Sequence, residues 1–294
     1  MAEHVYFNGT IVPADAATIS IFDGGFTHAA GLWETMRAYN GRVMRLREHV
    51  ERLNRSAATL GLHISLDADV VARGVENILE ANELEEARVR VVATPGSIPR
   101  PGVDPAVEAG PTTLITATPP NRYPADLYKT GFRVCISPYR QSRLDPVAGH
   151  KTLAYLPRLL SMKDAAERRC NESLWFTTEN LLAEGAVCNV FIVKDGMIAT
   201  PPLDTPVLPG ATRHAVIDIA KEKDIPCEEK AIDIDTLLAA DEVFLTGSVL
   251  EVMGVSAIEK HQVGAGVPGE MTLRLAELYG ELVERECGRY EKNA

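Results

Sequence analysis

The stretch GHKTLAYLPRLL, Gly149 to Leu160, sets Lys151 two residues after a glycine and beside apolar residues, where a helical pattern begins. A lysine in apolar surroundings is destabilised in its charged form, so its amine becomes a usable nucleophile toward an aldehyde. Taken alone, a solvated lysine at a helix start is the commoner arrangement. The segments downstream change that reading.

Leu181–Val193, LLAEGAVCNVFIV, is dense in apolar residues, with Glu184 a rare charge immediately before Gly185. Burying a carboxylate is costly unless it is paired, so Glu184 either lies at a solvated turn or faces a cation. In LPGATR, Leu208–Arg213, Pro209 and Gly210 precede a helical pattern that starts near Ala211, with Thr212 in its first turn. A helix N-terminus with a nearby hydroxyl is an anion site, although a plain capped helix is the commoner use. A nucleophilic lysine, a carboxylate and an anion nest together suit one ligand, pyridoxal phosphate.

Working outward, Asn8-Gly9 and Asn40-Gly41 each sit between β-prone stretches and predict tight hairpins. Leu46, Val50, Leu53, Ala57 and Leu60 fall on one helical face ending at Gly61, and a second helix is expected over Asp67–Ala81. Strands are expected at Arg88–Thr94 and Thr113–Thr118, separated by the loop PGSIPRPGVDP. The proline-punctuated PPNRYPADLYKTG marks a linker at 121–131. Beyond it, strand-like runs at Phe132–Ser137, Ser173–Thr177, Val187–Val193 and Glu242–Thr246 alternate with helical patterns around Leu153–Arg169, Thr212–Lys223 and Met271–Glu286. The fold class is α/β or α+β. GAGVPG, Gly264–Gly269, satisfies G-x-G-x-x-G literally, but Pro268 interrupts it and no strand-to-helix frame surrounds it, so it reads as a loop.

In this order, VYFNGTIVP, GLWETMRAYNGRVMRLREHVERL, HKTLAYL, LLAEGAVCNVF, LPGATR and DEVFLTGSVLEV resemble the fold type IV (class IV) pyridoxal-phosphate enzymes. That family includes branched-chain aminotransferases, D-amino acid aminotransferases and aminodeoxychorismate lyases. The resemblance implies a two-domain fold, with a small N-terminal α/β domain at 1–120 and a large C-terminal pseudo-barrel α/β domain at 132–294, the cofactor between them, in a homodimer. It implies that Lys151 forms the internal aldimine and later moves a proton, and that Glu184 pairs with the pyridine nitrogen, keeping it protonated and deepening the electron sink. Arg52 matches the phosphate-binding arginine, a role that suits a bidentate guanidinium. The amides of Ala211 and Thr212 and the Ser248 hydroxyl complete the implied phosphate cup. Tyr155 resembles the tyrosine on the cofactor's phenolic oxygen, and Leu208 the apolar residue under the ring.

Departures from the pattern bear on substrate. Thr27, His28, Ala29 and Ala30 replace the usual glycine and aspartate, and Trp33 takes the aromatic position before Glu34. Glu34 and ETMRAYNGRVMRL read most like branched-chain aminotransferases. Arg100 matches the arginine that D-amino acid aminotransferases place on the substrate carboxylate, but Gly102 stands where they carry a histidine. An exposed loop arginine is the equal alternative. Cys188 stands where relatives carry serine or glutamate and reads as a buried thiol. The expected activity is transamination between an apolar or branched-chain α-amino acid and a 2-oxo acid. The competing readings are pyruvate elimination by an aminodeoxychorismate lyase and transamination of D-amino acids or amines.

Composition narrows the partners. Thirty Lys+Arg against 41 Asp+Glu give a net charge of -11, which offers no basic field for nucleic acid or an anionic membrane. The five cysteines contain no C-x-x-C pair, so neither a zinc site nor a disulfide framework is suggested and a reducing, cytoplasmic setting is expected. No metal is expected.

Overall fold

The computed structural model describes residues 3–98, 110–120 and 122–288. The chain divides into two compact units: Met1–Asn121 with Lys151–Ala154 and Glu286–Arg289, and Arg122–His150 with Tyr155–Arg285 and Tyr290–Ala294.

The first unit is built on β1 (His4–Phe7), β2 (Thr10–Pro13), α1 (Gly24–His28), β3 (Leu32–Tyr39), β4 (Arg42–Val43), α2 (Leu46–Thr59), α3 (Ala68–Ala81), β5 (Ala87–Thr94) and β6 (Thr112–Thr118). Its sheet runs β2-β1-β6-β5-β3-β4, antiparallel throughout. The two Asn-Gly pairs make the β1–β2 and β3–β4 turns, with positive φ at Asn8 (47°), Gly9 (98°), Asn40 (49°) and Gly41 (72°). That conformation is open to glycine and tolerated by asparagine. Asp67 caps α3 by accepting from the amides of Asp69 (2.8 Å) and Val70 (3.1 Å). The apolar faces of α2 and α3 meet the sheet in a core that includes Met36, Val50, Val75, Ile78, Val89, Val91 and Ile115.

The second unit contains α4 (Ala125–Thr130), β7 (Phe132–Gln141), α5 (Leu156–Glu167), β8 (Glu172–Thr177), β9 (Leu182–Gly185), β10 (Asn189–Lys194), β11 (Met197–Thr200), α6 (Ala211–Glu222), β12 (Cys227–Glu229), α7 (Ile234–Leu238), β13 (Glu242–Gly247), β14 (Glu251–Ile258), β15 (His261–Gln262) and α8 (Glu270–Cys287), whose last residues join the first unit. Its sheet runs β12-β11-β10-β13-β14-β7-β8-β9, with β15 on β14. The β14–β7, β7–β8 and β11–β12 pairs are parallel. GAGVPG forms the turn between β15 and α8.

Two segments differ from their sequence reading. The expected linker 121–131 holds α4, whose Leu127 and Tyr128 pack on the second unit's core, while Tyr123 meets Phe132 edge-to-face at 5.4 Å. The helix expected from Leu153 begins at Leu156, with Tyr155 as N-cap and Pro157 in the first turn, where its missing N–H costs nothing. Residues 151–153 pack with the first unit, not with the stretch 132–294 to which the sequence assigned them: Thr152 bridges Leu32, the Trp33 amide donates to Lys151 O (3.0 Å) and that of Leu153 to Gly31 O (2.9 Å). Gly31 is required there, since a Cβ would come within 2.6 Å of Leu153 Cδ1 and 2.9 Å of Ala93 O.

Candidate functional site

In the first unit, Glu34 on β3 is buried against α2, where His49 and Arg52 stand three residues apart on one helical face. Arg52 grips the carboxylate with two nitrogens: Nε donates to Oε1 at 2.8 Å and Nη2 to Oε2. His49 Nδ1 lies 2.8 Å from Oε2. Burial opposes ionisation of Glu34, but Arg52 and then His49 outweigh it and hold the carboxyl at about 2. Burial pushes His49 below its ordinary value. Arg52, read from sequence as a phosphate ligand, is therefore placed by a carboxylate 18 residues earlier.

The sign of the Glu34 shift fixes a pH dependence. A folded-state value depressed from 4.5 to about 2 stabilises the fold above about pH 4.5 and is lost as pH falls toward 2. The full loss amounts to about 3 kcal/mol. Urea unfolding between about pH 5 and pH 3 should show a clearly smaller decline in Glu34→Gln than in the wild type. Parallel declines would assign the acid sensitivity to other groups.

Lys151 stands over the indole of Trp33, its Nζ 3.7 Å from the ring centroid, and Arg90 Cζ is 3.9 Å from the same centroid. Trp33 is 6% exposed, and its Nε1 donates to Thr152 O at 2.9 Å. The indole is thus fixed beside the lysine, with two cations on one ring. Arg90 was missed in the sequence. The signal was there: in ARVRVVAT the apolar alternation buries residues 87, 89, 91 and 93 and leaves 88 and 90 on the other face.

In the second unit, Glu184 on β9 is buried and faces a cation, one of the two outcomes open from sequence. Its Oε1 accepts from Arg158 Nη2 at 2.7 Å, and its Oε2 from the Leu208 amide at 2.9 Å. The Leu208 carbonyl in turn accepts from Asn189 Nδ2 at 2.8 Å. Three residues after Leu208, α6 starts at Ala211 behind Gly210, which supplies no side-chain oxygen to the first turn, and Ala211 and Thr212 are both buried. The Tyr155 hydroxyl donates to Ala186 O at 2.9 Å, and burial pushes it well above the usual phenol range. Ser248 is half-buried in the turn after β13. The structure thus joins Glu184 directly to Leu208, next to the α6 N-terminus, while Lys151, Trp33 and Arg52 belong to the first unit. Arg100 lies outside the described residues.

Behind Glu184 is Glu172, fully buried, accepting from the amides of Ser173 (2.7 Å) and Ala186 (3.0 Å), with Cys188 Sγ at 3.5 Å. Burial pushes both the Glu172 carboxyl and the Cys188 thiol up, which makes Cys188 a poor nucleophile. Among the described residues no cluster of His, Cys, Asp and Glu could hold a metal ion, and no helix is long and apolar enough to cross a membrane.

The family model for class IV aminotransferases matches residues 31–258. A Methanocaldococcus jannaschii protein, provisionally named a branched-chain-amino-acid aminotransferase, is 33% identical over 279 residues, covering 95% of this chain and 96% of that one. The D-alanine aminotransferase of Staphylococcus haemolyticus is 30% identical over 281 residues, covering 95% and 98%. The branched-chain amino acid aminotransferase of T.th., solved with pyridoxamine 5'-phosphate, superposes with a TM-score of 0.89 at 28% identity, covering 98% of this chain and 96% of that one. These relatives are aminotransferases, so pyruvate elimination is not favoured. The chain belongs to the class IV aminotransferases, with their fold type IV architecture, and is a pyridoxal-phosphate-dependent transaminase.

Proposed function

We propose that the protein transaminates α-amino acids with apolar side chains, branched-chain ones foremost, against a 2-oxo acid. The observation that carries this reading is Trp33, a buried indole held beside Lys151, which gives the lysine an apolar wall. The residues present fit the cofactor. Gly210 leaves the α6 N-terminus without a side-chain cap, which suits a phosphate, and Glu184 is a buried, oriented carboxylate of the kind a ring N–H requires. When bound, pyridoxal phosphate supplies an aldehyde that takes up the substrate nitrogen and a ring that draws electrons from Cα.

In this reading Lys151 holds the cofactor and then carries the proton to and from Cα. Glu184 receives the ring nitrogen, Tyr155 the phenolic oxygen, and Leu208 lies against the ring. Arg52, Ala211, Thr212 and Ser248 receive the phosphate. Trp33 lines the side-chain pocket. The substrate carboxylate goes to arginine: Arg90, stacked on the same indole as Lys151, and Arg100, which lies outside the described residues.

Purified holoenzyme mixed with L- and D-amino acids, and followed by the absorbance of the aminated cofactor, should convert fastest with L-leucine, L-isoleucine and L-valine. A faster reaction with D-alanine would move the chain to the D-amino acid reading. Arg90→Ala should lower kcat/KM for valine about 50-fold and spare phenylethylamine, which has no carboxylate to hold. Arg100→Ala should do the same more weakly. Equal losses on both substrates would remove the carboxylate role.

A homodimer is part of the proposal. Leu156, Leu159 and Leu160 on α5 remain exposed, an apolar face suited to a second copy. The five cysteines are free thiols, which supports a cytoplasmic location.

A further inference from the structure

Arg158, on the first turn of α5, is pinned from several sides. Nη2 donates to Glu184 Oε1 at 2.7 Å and to Gln141 Oε1 at 2.8 Å, and Nη1 donates to Gly185 O at 3.0 Å. The guanidinium carbon lies 4.1 Å over the ring of Trp175, which itself stacks on Tyr139 at 5.8 Å. Gln141 is fixed in turn by donating to Pro206 O. A guanidinium held this way has little freedom left to lose, so the direction of its bond to Glu184 is geometrically set.

Both oxygens of Glu184 therefore have partners, the charged one on Oε1 and the Leu208 amide on Oε2. The titratable neighbours from other elements are Glu172 on β8, the Cys188 thiol between β9 and β10, and the Tyr155 hydroxyl before α5. Burial displaces all three toward their neutral forms. Arg158 is thus the charge that sets how much of the Glu184 anion is available to anything placed on it.

We propose that Arg158 is a positioning residue that tunes the cofactor's ring nitrogen. By sharing the Glu184 carboxylate, it makes that nitrogen bind its proton less tightly than an unpaired carboxylate would. The inference rests on the assignment of Glu184 to the ring nitrogen made above. A proton on the ring is stabilised by the negative charge facing it, and a guanidinium bonded to the same carboxylate offsets part of that charge. The arrangement sets the strength of electron withdrawal from Cα, which in turn governs the step that Lys151 catalyses.

The test uses holoenzyme reconstituted with pyridoxal phosphate labelled with ¹⁵N in the ring, with the free cofactor in acid and in alkali as the two NMR limits. In Arg158→Met, the pH at which the bound resonance crosses its midpoint should rise by about one unit. Arg158→Lys keeps the charge but not the fork, and should fall between Arg158→Met and the wild type. An unchanged midpoint in Arg158→Met would overturn the proposal. So would an equal shift in Arg158→Lys, because packing rather than charge would then be responsible. If Arg158→Met fails to fold, Arg158→Gln, which keeps a donor for Gly185 O, must show the same rise. A wild-type resonance that ignores Glu184→Gln would remove the Glu184 assignment and this inference with it, a failure the Arg158 variants alone do not produce.

Discussion

Lys151→Ala should lower turnover by about 10⁴-fold, the upper range for a group that moves the proton in the reaction. It should also leave borohydride nothing to fix. In the wild type, reduction should abolish the visible absorbance and place the cofactor label on a single peptide containing Lys151. The geometry fixes where this lysine stands. Its Nζ sits 3.7 Å from the Trp33 centroid, and its backbone is tied to the β3 end of the first unit by the Trp33 amide. The indole face holds the Lys151 nitrogen by a cation–π contact, and Arg90 lies against the same ring. Lys163 offers the contrast, being largely exposed and paired with Glu167 at 3.8 Å. A reducible, covalently held cofactor in Lys151→Ala, or a label on Lys163 or Lys129, would overturn the assignment.

What the sequence disclosed was local or ordered along the chain. The Asn-Gly turns were legible because a two-residue hairpin demands positive φ, and asparagine and glycine accept it. The α6 start was legible because Pro209-Gly210 stops one element and leaves the next uncapped by side chain. What stayed hidden depends on pairings that no spacing reveals. Glu184 meets Arg158 from 26 residues away because β8 and β9 bring the strand alongside α5. Arg52 meets Glu34 only once α2 lies on β3. The Lys151 segment stays outside α5 because the β3 end is its partner, and Trp33 reaches Thr152 across 119 residues. In each case the sequence supplied the residue and tertiary structure supplied its neighbour.

Arg52→Ala and Glu184→Gln should both cripple the enzyme, but in different ways. Arg52 has two duties: the proposed phosphate contact, and neutralising Glu34 inside the first unit. Its removal should raise the cofactor dissociation constant about 10- to 100-fold, the cost of one charge-assisted bond to phosphate. It also leaves Glu34 with His49 in place of a full cationic partner, and breaking a buried pair costs about 3–5 kcal/mol. Excess pyridoxal phosphate should therefore restore much of the activity of Arg52→Ala, while the apoprotein keeps a lowered Tm. The double change Arg52→Ala with Glu34→Gln should recover part of that Tm without recovering cofactor affinity, which separates the two duties. In Glu184→Gln the single amide oxygen can keep the Arg158 bond while the amide NH2 faces the Leu208 N–H, so a modest loss of Tm is expected, with the phosphate contacts still holding the cofactor. Turnover should nonetheless fall about 10³-fold, because no anion faces the ring nitrogen and added cofactor cannot replace it. Titrating both variants with cofactor while recording kcat and apoprotein Tm decides the matter: identical responses would mean that at least one of the two roles is misassigned.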